Sequence, residues 1–223
     1  MTSGQIPPRV STKGVVVVAH GGQTSSTAPT SPLQPAVLRM IPVAVAIRMA
    51  LRGSGAAIQR HRFRVRGWNS ALASPVGDLN EALDAVVAEF GSVPVVLVGH
   101  SMGARAAVRA AGHSAVTAVA GLAPWLPPGE PVGQLAGRRV LLAHGSADSI
   151  TSPVETWAFL ERARAVTEVS AVEVRDGDHA MLRRARLWHA IAAEFARAAL
   201  ALPPGDSTLA AAVTATSGSR TVL

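Results

Sequence analysis

The chain has 223 residues, a net charge of +7 and no cysteine, and 48% of its residues are hydrophobic. This length and composition fit one globular domain with a substantial core. The absence of cysteine excludes a disulfide framework, a thiol nucleophile and a cysteine-based metal site. Nucleic-acid binding is disfavoured, because the cations are almost all arginines scattered along the chain and no DNA- or RNA-binding motif accompanies them.

Targeting signals are not apparent. The first residues lack the basic and apolar segments of a signal peptide, and the apolar run at residues 41–51 is short and contains Arg48. We therefore expect a cytoplasmic protein with no membrane partner. Composition predicts a flexible N-terminal arm at residues 1–13, a folded domain at 14–202 and a disordered tail at 203–223.

Apolar runs alternate with amphipathic segments along the domain. The runs predict six strands, at residues 14–19, 58–65, 95–98, 115–123, 139–143 and 167–175. Helices are expected at residues 36–51, 75–90, 153–165, after residue 101, and from about 180 to 200. Ser74 and Ser152, each followed by proline, are predicted N-caps, and Pro42 is expected to delay the start of the first helix. The alternation predicts an open, mostly parallel sheet with helices on both faces.

The second predicted strand differs from the others in its charge. Arginine occupies alternate positions at Arg60, Arg62, Arg64 and Arg66, whereas central parallel strands are apolar on both faces. We expect this strand at an edge of the sheet, where charge also deters aggregation.

The segment at residues 95–104 carries the strongest functional signal. A buried strand runs into Gly99-His100-Ser101-Met102-Gly103, and an alanine-rich helix follows. This strand, tight turn and helix form the pattern of a nucleophile elbow, in which Ser101 stands at the carboxyl end of the sheet. The helix directs free N–H groups toward the place where an oxyanion would form.

A serine nucleophile needs a base, and seven histidines are available. His179 follows the last predicted strand and so lies at the same edge of the sheet as Ser101, which makes it the expected base. His100 should point away from its neighbour Ser101. His20 and His144 lie in strand-end turns, where an imidazole most often makes structural hydrogen bonds.

The base in turn needs a carboxylate that holds its tautomer. Asp148 follows the fifth predicted strand and is favoured. Asp176 and Asp178 are rivals, although residues adjacent in sequence rarely face the same ring nitrogen of His179. The order Ser101, Asp148, His179 is one of the known orders for such triads.

Two N–H groups are expected to bind the oxyanion. One is the backbone N–H of Met102, directly after the nucleophile. The other should come from the turn after the first strand, with Gly22 as first choice and Gln23 as second choice.

These motifs, with the His20-Gly21-Gly22 turn, resemble the α/β-hydrolase superfamily over about residues 14–200, in particular small lidless bacterial esterases and dienelactone-hydrolase-like proteins. The resemblance implies ester hydrolysis through an acyl-enzyme, a small-molecule ester substrate, and neither cofactor nor metal. Dienelactone hydrolases proper use a cysteine where this chain has Ser101, which counts against that particular substrate.

The superfamily usually carries its lid after the strand that here ends at residue 123. Residues 124–138 are too few for a helical lid, so we expect a minimal fold with an open, shallow site. Trp125, Met102 and Gln23 are its candidate walls. Acyl transfer, thioester cleavage and cofactor-free perhydrolysis on the same triad stay open, as does a non-catalytic binding protein with this fold.

Overall fold

A computed structural model describes residues 12–216 and 220–223, so the predicted arm at residues 1–13 lies almost wholly outside the described residues. Within them, one parallel sheet has the strand order β2-β1-β3-β4-β5-β6-β7. The strands are β1 (Gly14–Ala19), β2 (Ala56–His61), β3 (Val95–His100), β4 (Val116–Leu122), β5 (Arg139–Gly145), β6 (Val169–Val174) and β7 (Thr221–Val222). The predicted parallel sheet is confirmed, with a seventh strand added at one edge.

Helices cover both faces of the sheet, as predicted. They are α1 (Pro35–Ala50), α2 (Ser74–Phe90), α3 (Met102–Ala110), α4 (Pro153–Ala163), α5 (Ala185–Ala199) and α6 (Ser207–Thr214). Helices α2, α3 and α4 pack on one face with Val15 and Val17, and α1, α5 and α6 pack on the other with Val16 and Val18. Successive side chains of a strand point to opposite faces, so β1 contributes to both apolar layers. Among the described residues, we find no helix with the length and apolar character needed to traverse a bilayer.

The helix starts match the sequence in part. The Ser152 side chain accepts a hydrogen bond from the Glu155 N–H at 3.3 Å, which confirms the cap of α4. At α2 the predicted cap is wrong by one residue, because Ser74 is the first helical residue and its hydroxyl accepts from Asn69 Nδ2 instead. Pro42 lies inside α1 and does not delay its start, which was also expected wrongly.

Strand β2 lies at the sheet edge, which confirms its predicted place, but it ends at His61. The arginine alternation beyond that point does not belong to a strand. The backbone N–H of Arg64 and its Nε both bind the buried carboxylate of Asp78 on α2, at 2.7 and 2.6 Å. Strand pairing with β1 stops at His61, and the chain beyond it is bound to α2 through this carboxylate.

The prediction of a disordered tail at residues 203–223 is wrong for the described residues. Helix α6 buries Leu209, Ala212 and Val213 in the apolar layer of α1 and α5. The buried carboxylate of Glu194 on α5 accepts from the Gly205 N–H at 2.9 Å and so holds the start of this segment. Strand β7 then pairs with β6 and supplies the seventh strand. Small apolar side chains were enough to pack, although their composition resembles that of a disordered segment.

No lid covers the carboxyl end of the sheet between β4 and β5. In this part of the described chain, residues 123–138, the only helical segment is a single 3₁₀ turn at Gly133–Leu135. The expectation of a minimal fold without a lid domain is confirmed.

Candidate active site

The turn between β3 and α3 has the geometry of a nucleophile elbow. Ser101 adopts φ 54° and ψ −119°, a left-handed conformation that is strained for a side chain with a Cβ. A Cβ at Gly99 would lie 2.4 Å from the Gly103 carbonyl oxygen, and one at Gly103 would lie 2.4 Å from the carbonyl oxygen of His20. Only glycine fits at both positions, so the two glycines permit the close approach that presents Ser101 at the end of the sheet.

Asp148 and His179 meet although they are 31 residues apart in the chain. The distance from His179 Nδ1 to Asp148 Oδ2 is 2.9 Å. Because an ionised carboxylate only accepts, Nδ1 donates, and the other ring nitrogen of a neutral His179 is left with its lone pair. The described hydrogen bonds of the His179 ring go to Asp148 and Thr151, and none reaches Ser101. Such bonds are often long before substrate binds.

Asp148 is a fully buried carboxylate with donors on both oxygens. Oδ2 also accepts from His144 Nε2 at 3.1 Å and from the Thr151 hydroxyl at 3.0 Å. Oδ1 accepts from the backbone N–H groups of Ile150 and Thr151, at 2.8 and 3.0 Å. Burial alone would raise the pKa of Asp148, but hydrogen bonds from His144, His179 and the two N–H groups hold that pKa well below its usual range. The carboxylate therefore stays ionised beside His179.

The rival carboxylates do not contact the His179 ring in the described structure. Asp178 Oδ1 accepts from the backbone N–H groups of Leu182 and Arg183, at 2.9 and 2.8 Å, and so caps the turn that follows. Asp176 is exposed, with its backbone N–H bound to the Ser146 hydroxyl. Of the three aspartates considered, Asp148 is the one that the fold brings to the imidazole.

The residues that carry the two candidate oxyanion donors, Gly22 and Met102, are in contact through the Met102 side chain. A Cβ at Gly22 would lie 2.4 Å from Met102 Cε, so the turn after β1 packs directly on the elbow. In residues 12–216 neither the Gly22 nor the Met102 N–H is engaged by a backbone acceptor. The Gln23 N–H donates to the Arg66 carbonyl at 2.8 Å, so the second choice is already occupied.

A comparison with protein families identifies the family of this chain. Residues 10–139, more than half of the sequence, match the family model described as serine aminopeptidase, S33. The chain belongs to this family of α/β hydrolases. The matched segment contains Ser101 and ends before Asp148 and His179. No curated protein matches the sequence.

Solved structures share the fold of this α/β hydrolase at low sequence identity. A serine hydrolase homologue from Coxiella burnetii aligns with a TM-score of 0.62 and 18% identity, over 84% of this chain and 86% of that one. A serine hydrolase without a lid from Xanthomonas campestris gives 0.57 and 22%, over 90% and 88%. A monoacylglycerol lipase from Paleococcus ferrophilus gives 0.60 and 16%, over 84% and 95%.

The predicted walls of the site divide into three cases. Trp125 is half-buried, and its backbone N–H donates to the Ser101 carbonyl at 3.3 Å. Gln23 is exposed and lines a cavity beside the turn after β1. The Met102 side chain is only 1% exposed, so the prediction that it forms a wall is wrong, because it packs behind Gly22 in the core.

Three neighbours of the candidate triad were not predicted from the sequence of this α/β hydrolase. His144 and Thr151 both bind Asp148, and His100 Nε2 binds the backbone carbonyl of His179 at 2.8 Å. His144 was expected to make structural hydrogen bonds, but its partner was not foreseen. The repeated Ala-His-Gly at the ends of β1 and β5 was the one signal for it, and Thr151 carried no signal.

Proposed function

We propose that this α/β hydrolase cleaves carboxylic esters of small molecules through an acyl-enzyme on Ser101, with His179 as base and Asp148 as the residue that orients it. The observation that carries the proposal is the 2.9 Å contact between His179 Nδ1 and the buried Asp148. It fixes the tautomer that a serine hydrolase needs, because the ring nitrogen left unprotonated can accept the serine proton.

The chemistry follows in two balanced steps. Ser101 Oγ attacks the ester carbonyl while its proton passes to His179, and the N–H groups of Gly22 and Met102 bind the oxyanion. Collapse expels the alcohol, which takes the proton from His179, and the acyl group stays on Ser101. Water then attacks the acyl carbon while His179 takes its proton, and collapse releases the carboxylic acid as His179 returns that proton to Ser101 Oγ.

The test compares the wild type with Ser101→Ala on p-nitrophenyl acetate and p-nitrophenyl butyrate. We expect a fall in kcat of about a thousandfold or more, the cost of removing a triad member. Ser92→Ala, which removes an exposed serine at the opposite end of the sheet, is the matched control and should leave the rate unchanged. Equal rates for the wild type and Ser101→Ala would contradict the proposal.

A fluorophosphonate probe separates an enzyme from a binding protein with the same fold. The probe should label Ser101 in the wild type and in Ser92→Ala, and fail to label Ser101→Ala. A protein that only binds its ligand would stay unlabelled in every form. Acceptor competition with added alcohols or thiols would then distinguish acyl transfer from hydrolysis, because the acyl-enzyme is common to both.

A further inference from the structure

A cavity of about 290 Å³ opens beside the turn that follows β1. Its wall includes Gly22, the candidate oxyanion donor, together with Gln23 and Gln34, the residue directly before α1. The wall also carries two positively charged side chains, Arg39 and Arg66. No aspartate or glutamate of the described chain lines it. A cavity adjoining the reaction centre thus presents two cations and two amides.

The two cavity arginines lack the carboxylate partner that several other arginines of the described chain have. Arg64, Arg105 and Arg164 each lie within 2.7 Å of a carboxylate. Within the described residues neither Arg39 nor Arg66 has a carboxylate within 4.0 Å, and Arg66 Nε instead donates to the Pro29 carbonyl at 3.1 Å. Their remaining donors are available to a ligand.

Half-burial gives Arg39 an electrostatic reason to take an anionic partner. Burial lowers the pKa of Arg39, and the more distant Asp178 offsets this in part. A guanidinium stays protonated at any working pH, so the cost of burying it is met by an anion rather than by loss of a proton. The start of α1, at Gln34 and Pro35, adds the positive end of a helix dipole to the same wall.

We propose that this cavity binds a carboxylate of the substrate, held by Arg39 and Arg66. The inference rests on the proposed function, because the cavity shares Gly22 with the site where the ester carbonyl would lie. The favoured substrates are therefore small esters that carry a second, free carboxylate on either the acyl or the alcohol side. Arginine suits this task, since its planar fork pairs with both oxygens of a carboxylate.

Two matched pairs of esters test the proposal and identify the side that carries the charge. For the acyl side, p-nitrophenyl hydrogen glutarate is compared with neutral p-nitrophenyl methyl glutarate. For the alcohol side, p-acetoxybenzoate is compared with p-acetoxybenzamide. The readout is the ratio of kcat/KM for the anionic ester to that for its neutral partner, with the Ser101→Ala rate subtracted as background.

We expect a ratio of about 10 or more for at least one pair in the wild type. Arg39→Gln and Arg66→Gln should each lower that ratio about tenfold, and a rise in salt from about 0.05 to 0.5 M should lower it severalfold. Arg48→Gln removes an exposed arginine of the same helix that does not line the cavity, and should leave the ratio unchanged. Ratios near one for both pairs, or an equal fall in Arg48→Gln, would overturn the proposal.

A binding measurement separates failure of the subsite from failure of the proposed chemistry. Glutarate is titrated calorimetrically into Ser101→Ala and into the double variant that also carries Arg39→Gln. Binding that weakens tenfold or more in the double variant supports the anion site even if no ester is cleaved. Absence of glutarate binding to Ser101→Ala, together with Ser101-dependent cleavage of p-nitrophenyl acetate, would reject the anion site and leave the proposed function standing.

Discussion

His100 Nε2 donates a hydrogen bond to the backbone carbonyl of His179 at 2.8 Å, so the residue before the candidate nucleophile holds the loop that carries the candidate base. A carbonyl only accepts, so the proton lies on Nε2, and Nδ1 is a buried acceptor with no partner in the described residues. Burial, and then the nearby His179, lower the pKa of His100 to about 3. His100 is therefore neutral, and keeps this donor, at any pH at which the enzyme would work.

Replacing His100 should impair catalysis through the position of His179. His100→Leu removes the donor, and we expect kcat on p-nitrophenyl acetate to fall about 10- to 100-fold with a smaller change in KM, because small displacements of a base are costly. His100→Gln retains an amide donor and should restore part of the rate. A role in packing alone would leave the two variants equally impaired at equal thermal stability.

Replacing Asp148 should leave the fold intact but remove the acceptor that fixes the tautomer of His179. Asp148→Asn keeps the shape but presents an amide where both histidines need an acceptor, so we expect kcat to fall about 10³- to 10⁴-fold. Asp176→Asn makes the same change at an exposed aspartate near His179 in sequence and should retain wild-type kcat. Steady-state rates on p-nitrophenyl acetate check both variants, and similar rates for the two would contradict the assignment.

Strand ends explain how much of this site the sequence could predict. Ser101, Asp148 and His179 each follow a predicted strand, and parallel strands bring such positions to one edge whatever the details of packing. The contact between His100 and His179 depends instead on how a loop 79 residues away folds over the elbow, and no local pattern records that. The same limit applies to Thr151, whose role arises only from the turn that surrounds Asp148.

The prediction of a disordered tail was wrong because it rested on amino-acid composition and not on the spacing of apolar residues. Helix α6 is built from alanines, threonines and few larger side chains, which resemble a disordered tail when counted. Its stability comes from the apolar layer it joins and from the Asp206 cap, whose carboxylate accepts from the Leu209 N–H at 2.9 Å. Tertiary packing of this kind is invisible to a residue count.

Acid should destabilise the protein from about pH 6.5 downward. Burial lowers the pKa of His61 to about 4, as it lowers that of His100, so the unfolded chain binds protons that the folded chain refuses. The free energy of unfolding should then fall by up to about 1.4 kcal/mol per pH unit for each such histidine. Below about pH 4, protonation of Asp148 in the unfolded chain lowers the stability further in the same direction, because the fold holds its pKa well below the usual range.

Urea denaturation at pH 7.5, 6.0 and 5.0 measures this dependence. His61→Gln removes one of the titrating groups, and its stability should change less between pH 6.0 and 5.0 than that of the wild type. An identical slope in His61→Gln would show that this imidazole titrates alike in both states, and a gain in stability on acidification would contradict the expected sign.

Glu130 should stabilise the fold through a buried cluster of charges beside the candidate site. Its carboxylate, 1% exposed, binds Arg105 Nε at 2.7 Å and also Arg109. The Arg105 guanidinium in turn lies 3.9 Å from the ring centre of Trp68 and 4.5 Å from that of Trp125. Removing the carboxylate would leave the largely buried Arg105 side chain without its counter-charge. The guanidinium would then no longer be held in place against the rings of the two tryptophans.

We expect Glu130→Gln to lower the free energy of unfolding by about 3 kcal/mol, as for other buried pairs that lose one partner. Glu161→Gln is the matched control, because Glu161 pairs with Arg164 at the same 2.7 Å distance but is 68% exposed. Its loss should cost at most about 1 kcal/mol, since water and salt screen such a pair. Urea denaturation of the two variants decides the matter, and equal losses would mean that the Glu130 cluster stabilises the fold no more than a surface ion pair does.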